Sequence, residues 1–223
     1  MHFGVHICAT EHEPQLNGCT LVCIEMARSY TKNKRAEQEA ETRQRIVEAA
    51  LSLHGEVGPS STTISMIAER AGVQRHTVYA HLPDERSIFM ACSGLHLERS
   101  PPPAPEGWSP ISDPEERLCA ALTALYRWYE GNERVLALVF RDAETNDTLR
   151  EVSQLRFGPA MADIHESLAS ALPEKAGAAL TLALSFHTWR TLARTAGLDN
   201  AGAADLMVRT VLAATGQTRL NRL

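Results

Sequence analysis

The three residues Ala71-Gly72-Val73 constrain the fold of this chain more than any other stretch. On either side of them lies a short segment in which apolar residues recur at helical spacing, one over 62–71 and one over 74–82. Glycine readily adopts the left-handed backbone that a tight turn requires, so the two helices can cross steeply. We expect Thr62 to cap the first of these helices, and the pattern as a whole predicts a helix-turn-helix unit.

Helical periodicity continues through most of the remaining chain. One helix is predicted to begin at Thr42 and to end at Gly55, and another to begin after Asp84 and to end near residue 98. A proline-rich connection follows at residues 100–114, which cannot lie inside a helix. Beyond it, helices are predicted over 114–130, 132–143, 146–171, 175–196 and 200–215. Alternating runs of β-branched residues are scarce, so we predict an all-α protein.

The composition argues against several classes of protein. No window reaches the roughly 18 consecutive apolar residues of a membrane span, and a net charge of −5 argues against a general nucleic-acid coat. Five cysteines without regular spacing, and the lack of a basic segment ahead of an apolar one near the N-terminus, give no indication of secretion. We therefore expect a cytoplasmic protein with no membrane partner. No GxSxG, HExxH, GxGxxG or phosphate-loop motif occurs, so we expect neither an enzyme nor a cofactor.

Residues 1–25 differ from the rest of the chain, because they hold three of the five cysteines and three of the nine histidines. A zinc site is one interpretation, and its candidate ligands are His2, His6, Cys8, His12, Cys19 and Cys23. Their spacing matches no familiar finger or ribbon, so we expect no metal. The other interpretations are a disordered segment, or a start of translation at Met26.

The helix after the turn, about Gln74–Leu82, carries more hydrogen-bonding side chains than a surface helix needs. These side chains are Arg75, His76, Thr77, Tyr79 and His81. A helix of this size fits the DNA major groove, where Arg75 could donate two hydrogen bonds to guanine O6 and N7. The hydroxyls of Thr77 and Tyr79 could bind phosphate oxygens. Simpler roles stay open: a solvated charge for Arg75, packing for Tyr79 and a structural hydrogen bond for His81.

Residues 42–89 resemble the N-terminal domain of the TetR family of bacterial transcriptional repressors. The matching features are an Arg-Ile-Val-Glu-Ala-Ala first helix, Thr62-Thr63 at the start of the second, Ile67-Ala68 ahead of Ala71-Gly72-Val73, and the pattern Thr77-x-Tyr79-x-His81. The resemblance implies a three-helix DNA-binding domain followed by a larger helical domain for ligand binding and dimerisation. We accordingly expect an arm over 1–41, predicted to be disordered, a DNA-binding domain over 42–86, a sensing and dimerisation domain over 87–216, and a tail over 217–223.

The resemblance also assigns roles within the DNA-binding domain. It implies that Thr63, Thr77 and Tyr79 contact phosphates, and that Arg75 and His76 lie where bases are read. His81 and Arg86 complete the candidate set. Glu85 stands where members often carry a phosphate-binding lysine, and Leu82 where phenylalanine is usual. Arg86, or the basic arm residues Lys32, Lys34 and Arg35, would then compensate for the glutamate.

For the C-terminal part, the resemblance implies a cavity that encloses a small-molecule effector. The candidates to line it are Trp128, Phe140, Phe157 and Met161, with Arg127, His165 and His187 as polar anchors. Aromatic residues at helical spacing also commonly form a core, and that interpretation stays open. The composition favours a mostly apolar ligand.

The last two long helices contain apolar stripes and small residues, and the resemblance implies that they pair with their copies in a homodimer. A two-fold dimer would bind a palindromic operator with half-sites about 34 Å apart or a multiple of it. The expected function is therefore a ligand-responsive DNA-binding regulator, most simply a repressor that its ligand releases from the operator. The alternative is an all-α interaction module that has lost DNA binding, with Glu85 as its sign.

Overall fold

The computed structural model describes residues 18–216 of the chain, with side chains from Lys34 onward. The α-helices of this range are α1 (Gly18–Glu56), α2 (Ile64–Ala71), α3 (Arg75–His81), α4 (Glu85–Arg99), α5 (Pro114–Ala143), α6 (Asp147–Ala169), α7 (Gly177–Ala183), α8 (Phe186–Arg190) and α9 (Asn200–Ala214). No strand occurs within it, which confirms the all-α prediction. The described residues divide into two units between Gln44 and Arg45, and the first of these units is the N-terminal portion of α1.

The helix α1 begins far earlier than the sequence pattern predicted. Its backbone is helical from Gly18, whereas we expected a disordered arm up to residue 41 and a helix start at Thr42. Strong helix formers fill residues 36–45, and neither glycine nor proline interrupts the chain between Gly18 and Gly55. Residues 1–17 and the predicted tail over 217–223 lie outside the described residues. The side chains of all the candidate zinc ligands lie outside them as well.

The C-terminal portion of α1 packs with α2, α3 and α4 around one apolar core. Ile46, Ala50 and Val78 are fully buried there, and Ile67 and Leu82 are 1% exposed. The residue that caps α2 is Thr63 rather than the predicted Thr62, since its hydroxyl accepts a hydrogen bond from the Met66 N–H at 3.2 Å. The Thr62 hydroxyl instead donates to the Gly58 carbonyl in the preceding loop.

The helix α4 begins as predicted at an Asp84 cap. The Asp84 carboxylate accepts from the Ser87 N–H at 2.7 Å, and the Ser87 hydroxyl lies 3.2 Å from the Asp84 N–H as its acceptor. This reciprocal pair of hydrogen bonds fixes the start of the helix that leads from the helix-turn-helix into the C-terminal helices.

The second core lies among α5–α9. Its largest fully buried side chains include Trp189, Tyr126 and Leu122. The helix α5 runs through Gly131 without the predicted break, because a single glycine inside a strongly amphipathic helix lowers its stability without ending it. The predicted helix over 175–196 is instead divided into α7, α8 and a π-helical turn at Thr191–Thr195. No helix of the described range is long and apolar enough to cross a membrane.

Candidate DNA-binding and ligand-binding sites

The turn between α2 and α3 has the geometry that the sequence predicted. Gly72 adopts φ 67° and ψ 39°, a left-handed backbone that suits glycine. Its N–H donates to the Glu69 carbonyl at 3.2 Å, and the Val73 N–H donates to the Ala68 carbonyl at 3.0 Å. These two hydrogen bonds satisfy the last carbonyls of α2 and set the direction in which α3 leaves.

The outer face of α3 carries the polar side chains that the sequence singled out. Arg75, His76 and Tyr79 are exposed, whereas Thr77 and His81 are half-buried. Val78 is fully buried on the opposite face, so the helix is held by its apolar side and offers its polar side to solvent. Short exposed helices on a packed scaffold of this kind suit the major groove in width.

Thr63 contributes a second exposed hydroxyl at the N-terminus of α2. Of the predicted arm residues, Lys34 and Arg35 are exposed, and the side chain of Lys32 lies outside the described ones. Of the seven DNA-binding candidates, Thr63 thus caps α2, five lie on α3, and Arg86 lies on α4.

A cavity of about 240 Å³ lies beside this face. Tyr79 lines it together with Thr62, Ile64 and Glu85. The Tyr79 ring therefore packs along one edge although the side chain is 52% exposed. Both roles considered for this tyrosine, packing and an outward hydroxyl, are compatible with that placement.

A second cavity, of about 230 Å³, lies among α5, α6 and the α7–α8 segment, and we call it the aromatic cavity. Its lining residues are Trp128, Tyr129, Leu136, Phe140, Phe157, Met161, Leu184, Ser185, Phe186 and His187. Five of the seven predicted ligand-binding residues therefore meet in one place. Arg127 lines a different, polar cavity of about 600 Å³ together with Glu130 and Arg194, and half-buried His165 lines neither.

The sequence did not identify the other five lining residues, which are Tyr129, Leu136, Leu184, Ser185 and Phe186. For the last three, a helix continuing over 175–196 would have turned the side chains differently. The break after Leu184 turns these side chains towards the cavity. At this break the Ser185 N–H donates to the Leu182 carbonyl, and α8 begins at Phe186. Nothing in the local pattern marked that break.

Two of the lining rings have their polar atoms fully engaged. The Trp128 Nε1–H donates to the Ser100 carbonyl at 3.1 Å, and the Tyr129 hydroxyl donates to the Leu184 carbonyl at 2.6 Å. Burial raises the pKa of Tyr129 well above its ordinary value, with a smaller contribution from Tyr126. Both side chains therefore present apolar ring surface to the cavity rather than hydrogen-bonding groups.

The sequence comparisons concern the N-terminal segment. Residues 46–92 match the family model described as bacterial regulatory proteins of the tetR family. The chain is 44% identical over 57 residues to the HTH-type transcriptional regulator AcrR of Shigella flexneri, a match covering 25% of this chain and 26% of that relative. It is 41% identical over 58 residues to SrpR of Pseudomonas putida, covering 26% and 27%. The matches thus span about a quarter of these curated relatives.

Similarity to solved structures extends over most of the chain. NalD, the secondary repressor of the MexAB-OprM multidrug efflux pump in Pseudomonas aeruginosa, is 25% identical with a TM-score of 0.57, covering 80% of this chain and 97% of that one. A transcriptional regulator from Rhodococcus sp. is 18% identical with a TM-score of 0.57, covering 79% and 98%, which shows a shared fold. Residues 46–92 thus form a TetR-family DNA-binding domain, and the likeness in fold continues through the C-terminal helices. The N-terminal helix-turn-helix domain and helical C-terminal domain confirm the predicted architecture.

Within this chain, Glu85 and Arg86 both contact α6. The Asn146 side-chain amide donates to Glu85 Oε1 at 3.1 Å, and Arg86 forms an ion pair with Glu151 at 2.7 Å. The residue that departs from the family pattern therefore has a contact of its own within the chain. Both interactions link the first turn of α4 to the first turns of α6.

The C-terminal end of α4 is held by α5. The Trp128 indole donates to the Ser100 carbonyl, and the Asn132 amide donates to the Ser100 hydroxyl at 3.0 Å. Between the two ends, the Arg156 guanidinium donates to the Met90 carbonyl at 3.0 Å. The helix that connects the helix-turn-helix to the C-terminal helices is thus attached along its length. Trp128 is one of its attachments and also lines the aromatic cavity.

A small cavity of about 40 Å³ lies where α1 and α4 meet α5 and α6. His54, Phe89 and His96 line it, and Leu136 and Phe157 line both this cavity and the aromatic one. Burial lowers the pKa of His54 to about 4, although the nearby Asp142 carboxylate raises it in part. Burial also lowers the pKa of His96. Both histidines are therefore neutral at pH 7.

Asp142 is 6% exposed and joins α5 to the loop before α2. Its carboxylate accepts from the Ser60 N–H at 2.8 Å and from Arg141 Nε at 2.7 Å. Gly58, at φ 98°, lies close against the same carboxylate, and a Cβ there would come within 2.7 Å of it. The loop between α1 and α2 is therefore held by a charge-assisted contact with the C-terminal helices.

Proposed function

We propose that this chain is a dimeric, DNA-binding transcriptional regulator, most simply a repressor that a small-molecule effector releases from a palindromic operator. The observation that carries the proposal is the exposed polar face of α3 on a buried helix-turn-helix scaffold, within a TetR-family DNA-binding domain. The relatives named as HTH-type transcriptional regulators support the same activity.

In the proposed complex, α3 enters the major groove with its N-terminus towards the base edges. Arg75 and His76 occupy the first turn of α3, which suits base reading, and Arg75 would pair with a guanine. The hydroxyls of Thr63, Thr77 and Tyr79 would contact phosphates, which position the protein without reading sequence. His81, at the last turn and half-buried, is the least accessible member of the set.

Glu85 does not by itself argue for an interaction module that has lost DNA binding. Its carboxylate accepts a hydrogen bond from Asn146, which gives it a role in attaching α4 to α6. Arg86 would neutralise part of its charge towards a phosphate while keeping its ion pair with Glu151. The side chain of Arg86 is 44% exposed, so it is accessible to both partners.

The effector would act through α4. A ligand can shift the equilibrium between two protein states only by binding one of them more tightly, and a coupling of about 1–3 kcal/mol gives useful control. Trp128 offers a direct route, because its ring lines the aromatic cavity while its indole N–H holds the C-terminal end of α4. A ligand that moves this ring would move α4 and with it the separation of the two reading helices in a dimer.

The dimer would form through α7–α9. Most of the large apolar residues of these helices, including Leu180, Val208 and Val211, are buried within the chain itself. Leu182 on α7, however, is 52% exposed, and small side chains such as Ala201 and Ala213 are exposed on α9. Small residues allow two helices to approach closely, which suits a bundle formed with a second copy.

The deciding experiment selects binding sequences for the purified full chain from random duplex DNA. The dissociation constant of the best sequence is then measured by fluorescence anisotropy at two salt concentrations. Since phosphate contacts release counterions, we expect affinity to fall at least about a hundredfold between 50 and 200 mM salt. Arg75→Ala should weaken binding by about 1–3 kcal/mol and relax the preference at one base pair.

The matched control is Arg150→Ala on α6, which removes the same charge from an exposed arginine paired with Asp147, outside the helix-turn-helix and the proposed dimer helices. We expect it to leave the sequence preference and the salt dependence unchanged. Failure to select any sequence would refute the proposal and favour the interaction module. Equal losses in the two variants would refute a base-reading role for Arg75.

A further inference from the structure

The walls of the aromatic cavity are unusually rich in rings for a space of this size. Six of its ten lining residues carry one: Trp128, Tyr129, Phe140, Phe157, Phe186 and His187. Several of these rings meet at tilted or edge angles with centroids about 5.4–6.4 Å apart, such as Phe140 with Phe186 and Trp128 with Phe157. Aromatic surfaces prefer partners in the same offset or edge geometry, so a further ring completes this arrangement better than an alkyl chain does.

The same lining contains no aspartate, glutamate, lysine or arginine. A charged ligand group inside it would lose its hydration without gaining an opposite charge, which is strongly unfavourable. The nearest predicted cationic anchor, Arg127, lines a different cavity. The lining therefore selects against anions and cations alike.

The polar groups of the lining differ in whether they are already hydrogen-bonded. Trp128 donates its indole N–H to the Ser100 carbonyl, and Tyr129 donates its hydroxyl to the Leu184 carbonyl. The Ser185 hydroxyl and the His187 imidazole make no side-chain hydrogen bond with the described residues, and His187 is exposed. A ligand can thus place a ring against the aromatic walls and one hydrogen-bonding group against this pair at the rim.

The volume limits the size of the ligand. An engineered apolar cavity of about 150 Å³ holds a single benzene ring. At about 230 Å³, the aromatic cavity is about one and a half times as large, which is room for two fused rings. Met161 adds a polarisable thioether to the wall, and sulfur contacts with ring edges are favourable.

We propose that the effector of this chain is an uncharged bicyclic aromatic compound with one hydrogen-bonding group, its rings held by Trp128, Phe140 and Phe157 and its polar group by His187. This inference rests on the proposed function, because it names the class of ligand to which the regulator responds.

The test is a matched series of naphthalene derivatives titrated calorimetrically into the full chain without DNA. 1-Naphthylmethanol is the neutral member, 1-naphthoate the anion, 1-naphthylmethylammonium the cation and decahydro-1-naphthylmethanol the saturated analogue. We expect the neutral aromatic alcohol to bind at least about tenfold more tightly than either ion. It should also bind about fivefold or more tightly than the saturated alcohol.

His187→Leu tests the polar contact with little risk to the fold, since His187 is exposed. It should lower the affinity for 1-naphthylmethanol to that for 1-methylnaphthalene, which has no hydroxyl, and leave the affinity for 1-methylnaphthalene unchanged. Phe140→Leu should weaken both compounds. Phe89→Leu is the same substitution in the wall of the 40 Å³ cavity among α1, α4, α5 and α6, and it should weaken the binding of neither compound.

Tighter binding of either ion, equal binding of the saturated alcohol, or no binding of any member would overturn this ligand class. The DNA selection is independent of these titrations. If a selected duplex binds but no naphthalene derivative does, the ligand class is wrong and the regulator stands. If the neutral alcohol binds as expected but no DNA sequence can be selected, the cavity assignment stands and the proposed function fails.

Discussion

The helix-turn-helix region and the C-terminal helical region place their candidate functional side chains in opposite environments. On α3, Arg75 and His76 point into solvent, while the fully buried Val78 packs the helix against its core. In the C-terminal region, the candidate side chains are rings that lie beside other rings of the core, as Phe140 lies against Phe186. In the helix-turn-helix, the candidate binding residues differ from those that stabilise the fold. In the C-terminal region, aromatic residues are candidates for both roles.

This difference decides which substitutions are informative. In the helix-turn-helix, removal of a side chain that contacts DNA should leave the fold intact. In the C-terminal region, only the position of a ring relative to the aromatic cavity separates a ligand contact from a core contact. Measurements that compare unfolding with binding can therefore test the contrast directly.

The largest effect is expected for Trp189→Ala in the C-terminal core. The Trp189 side chain is fully buried and its Nε1–H donates to Asn200 Oδ1 at 2.9 Å. Loss of a buried ring of this size should lower the free energy of unfolding by about 3–5 kcal/mol, measured by urea denaturation. Phe140→Ala, a half-buried ring that faces the cavity, should cost only about 2 kcal/mol. Equal costs would show that Phe140 belongs to the core and not to a ligand site.

The next effect concerns His54, where the two regions meet. Burial lowers its pKa to about 4 in the folded chain, from an ordinary value of 6.5. Between these values the unfolded chain binds more protons, so the stabilisation is complete above pH 6.5 and is lost as the pH falls towards 4. The loss should reach about 3 kcal/mol at pH 4 and about 2 kcal/mol at pH 5.

Urea denaturation at pH 7 and pH 5 measures this loss. His54→Gln should remove most of it, because glutamine has no group that binds a proton in this pH range. If the free energy of unfolding of the His54 variant still fell by the same amount between pH 7 and pH 5, the buried neutral imidazole would not be its cause.

A pair of glycine substitutions gives a smaller and opposite pair of effects. A Cβ at Gly72 or at Gly131 would meet no atom within 4 Å, so crowding contributes nothing at either site. Gly72→Ala should lower the free energy of unfolding by about 1–2 kcal/mol, because alanine resists the left-handed backbone. Gly131→Ala should raise it by about 0.5–1 kcal/mol, because Gly131 lies inside α5. The same sign in both variants would show that backbone conformation does not explain these positions.

The helix-turn-helix was predictable because its signals are local. The left-handed Gly72, the Asp84 cap and the span of α3 follow from neighbouring residues alone, and the structure has all three. The extent of α1 was not predictable in this way: the absence of a cap or breaker before Thr42 leaves open how far a helix reaches. At Gly131 the opposite error arose, since one glycine signalled a break that the long apolar face of α5 overrides.

The C-terminal site was only partly predictable. The family resemblance suggested Trp128, Phe140 and Phe157 as ligand contacts, and the structure gathers them around one cavity. Helical periodicity does not show which of the inward-facing rings surround a cavity. It also does not show that α7 ends at Ala183, which allows Phe186 to turn towards the same cavity. The resemblance also suggested Arg127 as a polar anchor, but Arg127 lines a different cavity, because consecutive residues of a helix face different directions.

The smallest effect on stability, and the sharpest test of the contrast, is expected for Tyr79→Phe. The ring keeps its packing beside Ile64 and only the hydroxyl of a 52% exposed side chain is lost. The free energy of unfolding should therefore change by less than about 0.5 kcal/mol. If the hydroxyl binds a phosphate, DNA affinity should fall by about 0.5–1.5 kcal/mol for every sequence alike, since a phosphate contact carries no sequence information. Anisotropy titrations with the selected duplex and with single-base variants of it measure both quantities. A loss of affinity confined to one base pair would show that Tyr79 contacts a base rather than a phosphate. A loss of stability with unchanged DNA affinity would show that Tyr79 serves the fold alone. In that case Arg75 and His76 would be the only exposed residues of α3 among the candidates whose role is separate from stability.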